Sequence, residues 1–196
     1  MHKIRVCGFD PSLRNWGIAA ADLDLDSGLL DTPDLSIIQT VDPPGKQVRQ
    51  NSKDLALAEQ LFSGMYPIAQ LAKVIFVEVP VGSQSARAMA SYGTCVGVLG
   101  SLRGLGIQII EVTPTEVKVS MTGNKNATKD DMIRAAVEHY PDANWPRHSR
   151  AGKVGKTGWK AGDLLNSCEH MADAVAAIHA GCATPMFQNL LRILRK

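Results

Sequence analysis

The hydrophobic and polar positions along the chain fall into short β-favouring runs separated by longer helical ones. Ile4 to Phe9 is apolar and β-favouring and ends in Asp10; Pro11-Ser12 turns the chain, and Trp16 to Ala21 runs back, the pattern of a hairpin with a carboxylate at its rim. Val74 to Val77 is continuously apolar and also ends in an acid, Glu78, just before Pro80. A strand without alternation is buried on both faces, so this one is expected at the centre of a sheet with helices on either side. Shorter strands are expected at Leu35–Val41 and Ile107–Val112.

Between the strands the spacing predicts helices. Val48 to Gln70 carries Leu55, Leu57, Leu61, Phe62 and Ile68 at helix-compatible intervals, with its end near Pro67. Ser83 to Gly104 is apolar nearly all round, and Ala86, Ala90, Gly93, Gly97, Gly100 and Gly104 form one stripe of small residues. Such a helix is expected to be buried on more than one side, against the sheet and against a second helix or a second subunit. Thr113-Pro114-Thr115-Glu116 and Thr128 with Asp131 are two helix starts with capping-box spacing, the second helix running to about Tyr140. Asn166 to Ala180 is strongly helical, its Ala172, Ala174, Ala176 and Ala177 small enough to let it lie close to a sheet. Residues 185–196 make a short amphipathic C-terminal helix that docks on the core or on a partner subunit.

At 196 residues, 45% hydrophobic and 20% charged, the chain suits one well-buried core, and a single domain is expected over 1–196. No leader pattern or membrane-length apolar run is present, so a cytoplasmic protein without a membrane partner is expected. Cys7, Cys95, Cys168 and Cys182 show no CxxC spacing and read as reduced, buried thiols.

Charge changes the picture more. Residues 1–80 hold 7 Lys/Arg against 10 Asp/Glu, and residues 81–196 hold 14 against 9, which points the second half towards a polyanion. The acidic segment Asp22, Asp24, Asp26, Gly28 lacks the glutamate that a calcium loop needs at its twelfth position and reads as a solvated strand end. Residues 142–168 form the longest irregular stretch, a mobile basic loop with Trp145, Trp159, Arg147, Arg150, Lys153, Lys156 and Lys160, suited to a nucleic-acid backbone and to base stacking. Its Gly152 to Thr157 imitates a phosphate-binding loop, but Arg150 stands where the first glycine belongs and no buried strand precedes it.

Asp10 and Glu78 end two buried strands, where an unpaired carboxylate is costly unless it is paired or metal-bound. If the strands are neighbours, the two acids face each other. A third cluster, Glu169-His170-Met171-Ala172-Asp173, sets His170 and Asp173 on one face of an otherwise apolar helix. A zinc site from Cys168, His170, His179 and Cys182 fails on reach, since the two cysteines lie about 21 Å apart along one helix. Strand-end carboxylates with a helical His/Asp pair make an oxygen-rich cluster suited to Mg²⁺ or Mn²⁺, of the kind in which two ions activate water against a phosphodiester.

The order Gly8-Phe9-Asp10-Pro11-Ser12-Leu13, Val77-Glu78, Val117-Lys118, Thr128-Lys129 and His170-Met171-Ala172-Asp173-Ala174 resembles the RuvC family of Holliday-junction resolvases, bacterial or phage-type, over roughly residues 3–182. The resemblance implies an α/β, RNase H-like three-layer fold with a five-stranded mixed sheet flanked by helices. It also implies a homodimer that cuts two strands of a four-way DNA junction by paired symmetric nicks, leaving 5′-phosphates and 3′-hydroxyls. By the same resemblance Asp10, Glu78, His170 and Asp173 are catalytic metal ligands for Mg²⁺ or Mn²⁺, two ions per site, with histidine at 170 where some members have aspartate. Glu169 reads as a near neighbour. Lys118 matches a catalytic basic position, and Lys118, Lys129, Arg14, Arg87, Arg150, Lys153, Lys156 and Lys160 make up the set assigned to DNA. A branch-migration motor is not implied.

Two departures qualify the match: Val79-Pro80-Val81 stands where many bacterial members carry a phenylalanine, and the 142–168 stretch is longer and more basic. They lean towards a phage-type enzyme or a broader branched-DNA or flap nuclease. A junction-binding protein without cleavage leaves the acidic cluster unexplained, and a sugar-kinase or actin-like ATPase lacks its second phosphate loop and adenosine motif.

Overall fold

The computed structural model describes residues 2–45, 49–152 and 158–195. The elements in order are β1 (Lys3–Asp10), β2 (Asn15–Asp24), β3 (Asp34–Gln39), α1 (Gln50–Ala69), β4 (Val74–Glu78), α2 (Ala86–Gly104), β5 (Ile109–Val112), α3 (Pro114–Thr122), α4 (Lys129–His139), α5 (Cys168–Ala183) and α6 (Pro185–Leu194). The sheet has five strands in the order β3-β2-β1-β4-β5. β1, β2 and β3 pair antiparallel, while β1 pairs parallel with β4 and β4 parallel with β5. β4 is thus the buried inner strand that its unbroken apolar run predicts.

Alternation along the inner strands sorts the core onto the two faces. Val6, Val74, Phe76 and Ile110 point to the side covered by α3 to α6, with Met121, Met132, Val175 and Phe187. Cys7, Phe9, Ile75 and Val77 point to the opposite side, covered by Leu57, Leu61 and Met65 of α1 and by Cys95, Leu99 and Leu102 of α2. The result is a three-layer sandwich, helices on both faces of a mixed sheet.

α5 lies closest to the sheet, and glycine makes that possible. A Cβ at Gly17 of β2 would sit 2.1 Å from the His170 carbonyl oxygen, one at Gly8 of β1 would sit 1.8 Å from that of Ala174, and one at Gly181 would sit 1.9 Å from the Phe76 ring of β4. The helix therefore crosses β2, β1 and β4 in turn, with a missing side chain at each crossing.

α2 meets its expectation on one side only within the described chain. Its buried residues are Cys95, Val98, Leu99 and Leu102 on one side, while Cβ atoms added at Gly93, Gly97, Gly100 and Gly104 would meet nothing within 4 Å among the described residues. No second element of the described chain covers the small stripe. The helix lies at the sheet's periphery, and helical periodicity cannot tell a small residue that faces a neighbour from one that faces water.

The other departures are local. α1 runs through Pro67, which removes one i→i−4 bond but has only two further helical residues after it, so the helix ends soon after the proline as expected. Trp145 is not a base-stacking aromatic: it is buried and its Nε1 donates to the Tyr140 carbonyl at 2.8 Å. The other described residues of the long irregular stretch are tied into a hairpin-like excursion, with Arg147 bridged to Leu164, the His148 amide on Asp163 O and the Gly152 amide on Trp159 O. The acidic segment is a strand end as expected. Asp24 accepts from the amides of Asp26 and Ser27, while Asp22 and Asp31 pair with Arg5 and Lys3. All four cysteines are free, and no helix among the described residues is long and apolar enough to cross a membrane.

Candidate active site

β1, β4 and β5 all run parallel, so their carboxyl ends share one edge of the sheet. In an open α/β sheet that edge is where ligands bind, because the loops leaving parallel strands open a crevice there. Asp10 ends β1 and Glu78 ends β4, and the pairing of Phe9 with Val77 makes them neighbours at that edge. Asp10 also pairs across with Gly17, the residue under His170. The register of two strand pairs and the close seat of α5 thus bring Asp10, Glu78 and His170 together, and Asp173 follows His170 by one helical step on the face that meets the sheet. The expectation that two strand-end acids face each other is met.

The His170 ring Nδ1 lies 2.7 Å from Asp10 Oδ2, and both side chains are largely sheltered. That hydrogen bond raises the His170 pKa above its ordinary value, against the lowering effect of burial. Glu78 and Asp173 receive no hydrogen bond or ion pair from the described residues. Burial first, and then the charge of Asp10, pushes Glu78 up to about 7, with Lys118 pulling it down. Burial, Asp10, Glu78 and Glu169 push Asp173 up to about 8. Two half-buried carboxylates whose pKa values are raised by burial and by neighbouring acids mark a site short of positive charge.

Oxygen donors with one imidazole suit a hard or borderline divalent cation in chemical type. Among the described residues no three His, Cys, Asp or Glu side chains are gathered tightly enough to form a ready-made coordination shell. Asp10 and His170 bond to each other instead, so a cation here would share or displace that bond. Two large concavities lie elsewhere: about 860 Å³ between α1 and α2, and about 890 Å³ beside the 146–167 excursion.

Basic groups flank the cluster unevenly. Lys118 stands on α3, which begins two residues after β5 at the same sheet edge, and its charge acts on Glu78. Lys129, the first residue of α4, is ion-paired with Glu169. Arg14 and Arg87 lie on the surface, paired with Asp42 at 2.8 Å and Asp54 at 2.7 Å. Arg150 and Lys160 are exposed on the 146–167 excursion, where the Lys160 amide donates to Asp163. Lys153 and Lys156 lie outside the described residues.

Sequence reasoning missed the Lys129–Glu169 pair, which joins two helices forty positions apart, and it missed Gly8 and Gly17. A glycine inside a buried strand is itself a signal of close backbone approach, and both could have been read that way.

No family model matches the chain. A search of curated proteins finds the crossover junction endodeoxyribonuclease RuvC of Synechococcus sp. (strain WH7803), 27% identical over 163 residues, covering 80% of this chain and 98% of that protein. Among solved structures, T. thermophilus RuvC in complex with Holliday junction substrate superposes with a TM-score of 0.59 over 95% of this chain and 96% of that one, at 14% identity. The chain is RuvC-like. A second Thermus thermophilus RuvC structure agrees, with a TM-score of 0.57 at 15% identity over 90% and 92% of the two chains. The likeness in fold covers the five-stranded mixed sheet and its flanking helices.

Proposed function

We propose that this RuvC-like chain is a metal-dependent, structure-selective DNA endonuclease that resolves four-way junctions by paired nicks. The observation that carries the reading is the under-neutralised cluster of Asp10, Glu78 and Asp173 with His170, at the carboxyl ends of parallel strands in a relative of RuvC. Such a cluster on an open sheet edge suits a polymeric phosphodiester better than a small molecule, which needs an enclosing pocket.

Asp10, Glu78, His170 and Asp173 would hold the cation, Mg²⁺ or Mn²⁺, two ions per site. Bound divalent ions supply an activated water and stabilise the leaving oxygen of an in-line phosphodiester attack. The chain's own residues prepare that chemistry. With Nδ1–H donating to Asp10, His170 keeps its Nε2 lone pair free, and the same bond fixes the imidazole ring. Lys118 and Lys129 meet the phosphates next to the scissile bond, and Arg150, Lys160, Lys153 and Lys156 follow the DNA backbone.

Two cuts need two sites, and a homodimer supplies them. The face for the second copy is α2: its glycine stripe is uncovered, Met89 and Val96 are 46% and 44% exposed, and the neighbouring Leu55 of α1 is 72% exposed. Backbones approach closely across small residues, and a C2 pair sets the same stripe against itself.

The test is cleavage of an immobile four-way junction, beside linear duplex and flap controls, in Mg²⁺, Mn²⁺ and chelator. Paired symmetric nicks on the junction alone, lost in chelator, are expected, and Asp10→Asn should abolish cutting while keeping junction binding. Metal-dependent cutting spread over flaps and forks would replace junction resolution with a broader branched-DNA nuclease. Binding without cleavage in either metal would overturn the enzyme.

A further inference from the structure

We infer that Glu169 is a positioning residue that holds Lys129 beside the carboxylate cluster and is not one of the cation's ligands; the inference rests on the function proposed above. Glu169 directly precedes His170 in the first turn of α5, where a carboxylate is chemically able to serve as a fifth donor. Its carboxylate is already engaged: it is ion-paired with the Lys129 ammonium. Glu78 and Asp173 have no such partner among the described residues, and Asp10 and His170 bond to each other.

The pair is asymmetric in a way that assigns the roles. Lys129 is 76% exposed and Glu169 only 25%, so the sheltered acid directs the mobile base. The base of the lysine is fixed as well. α4 begins with a reciprocal cap in which Thr128 accepts from the Asp131 amide and Asp131 accepts from the Thr128 amide, which sets the Lys129 backbone rigidly above the start of α5. A lysine is a point charge on a long flexible stem, and of its many rotamers the Glu169 contact selects those that keep the ammonium near Asp10 and Asp173, whose fields it also feels. A site works best when its charged groups are locked by a supporting shell. Here one acid of that shell spends its charge on a lysine, which leaves three acids and a histidine for the cation.

The test compares wild type, Glu169→Gln, Glu169→Asp, Lys129→Ala and the double variant Lys129→Ala/Glu169→Gln. One readout is the single-turnover rate on a saturating four-way junction in Mg²⁺; the other is Mn²⁺ binding by calorimetry without DNA. Glu169→Gln and Lys129→Ala should each slow cleavage about tenfold, with the double variant no slower than either and Glu169→Asp recovering most of the rate. Mn²⁺ affinity of Glu169→Gln should stay within about fivefold of wild type, the reach of one nearby charge that does not coordinate the ion, while Asp173→Asn loses binding. Glu169→Gln cutting at the wild-type rate, single effects that multiply in the double variant, or a loss of Mn²⁺ affinity beyond about tenfold would each overturn the inference alone. Wild type that binds Mn²⁺ yet cuts no junction overturns the proposed function and this inference with it.

Discussion

Gly17→Ala tests the contact on which the whole site depends. The added methyl would lie 2.1 Å from the His170 carbonyl oxygen, 2.5 Å from its carbon and 2.9 Å from His170 Cβ. These are mainly backbone atoms, which cannot rotate away, so α5 must retreat from β2 by about 1.3 Å to reach ordinary contact. Overpacking a core costs about 1–3 kcal/mol, and a rigid obstacle places this case near about 3 kcal/mol. For a chain of this size that lowers Tm by about 6–12 °C. The same retreat would stretch the 2.7 Å bond between His170 and Asp10 beyond hydrogen-bonding range. A misplacement of about 1 Å at a reacting centre costs on the order of a hundredfold in rate. Thermal melting by circular dichroism and single-turnover junction cleavage read the two effects separately. A Gly17→Ala protein that melts with wild type and cuts at the wild-type rate would refute the close seating of α5, and with it the way the cluster is assembled.

Gly97→Ala is the counterpart: its methyl enters open space on a helix, so the isolated chain should gain up to about 1 kcal/mol, while the dimer measured by light scattering should weaken if α2 is its face. Saturating Mn²⁺, at a hundredfold above its Kd, should stabilise the protein by about 2.7 kcal/mol, a rise in Tm of about 5–10 °C that chelator reverses and Asp173→Asn abolishes. His179 gives a pH signature away from the cluster: burial, then His139, lowers its pKa from 6.5 to about 4, so the folded state holds it neutral. Its contribution is complete above pH 6.5 and is lost as pH falls towards 4, by at most roughly 3 kcal/mol. Denaturant titration of wild type against His179→Gln should show the two stability curves converging over that window, and parallel curves would refute it. Replacing Arg150 and Lys160 with glutamine should flatten the salt dependence of junction binding by about 0.9 log units per lost phosphate contact; an unchanged slope would take the excursion off the DNA.

The chain's own pattern determines much of this. An unbroken apolar run made β4 a central strand, two capping boxes fixed the starts of α3 and α4, and acids at the ends of β1 and β4 marked the sheet edge where the cluster forms. These features are local: each rests on residues within one turn or one strand, so periodicity and capping chemistry reveal them. What only the tertiary structure decides is who meets whom. Helical spacing gave α2 an apolar and small surface all round, yet one side packs and the glycine stripe is left uncovered within the described chain, because burial depends on a neighbour that no local pattern contains. Trp145 read as a DNA-facing aromatic and is a core residue, its indole N–H satisfied by the end of α4. The Asp10–His170 bond spans 160 positions and the Lys129–Glu169 pair spans forty. Both exist only because Gly8 and Gly17 let α5 settle onto the sheet, so that a missing side chain in β2 decides where a histidine on α5 can act.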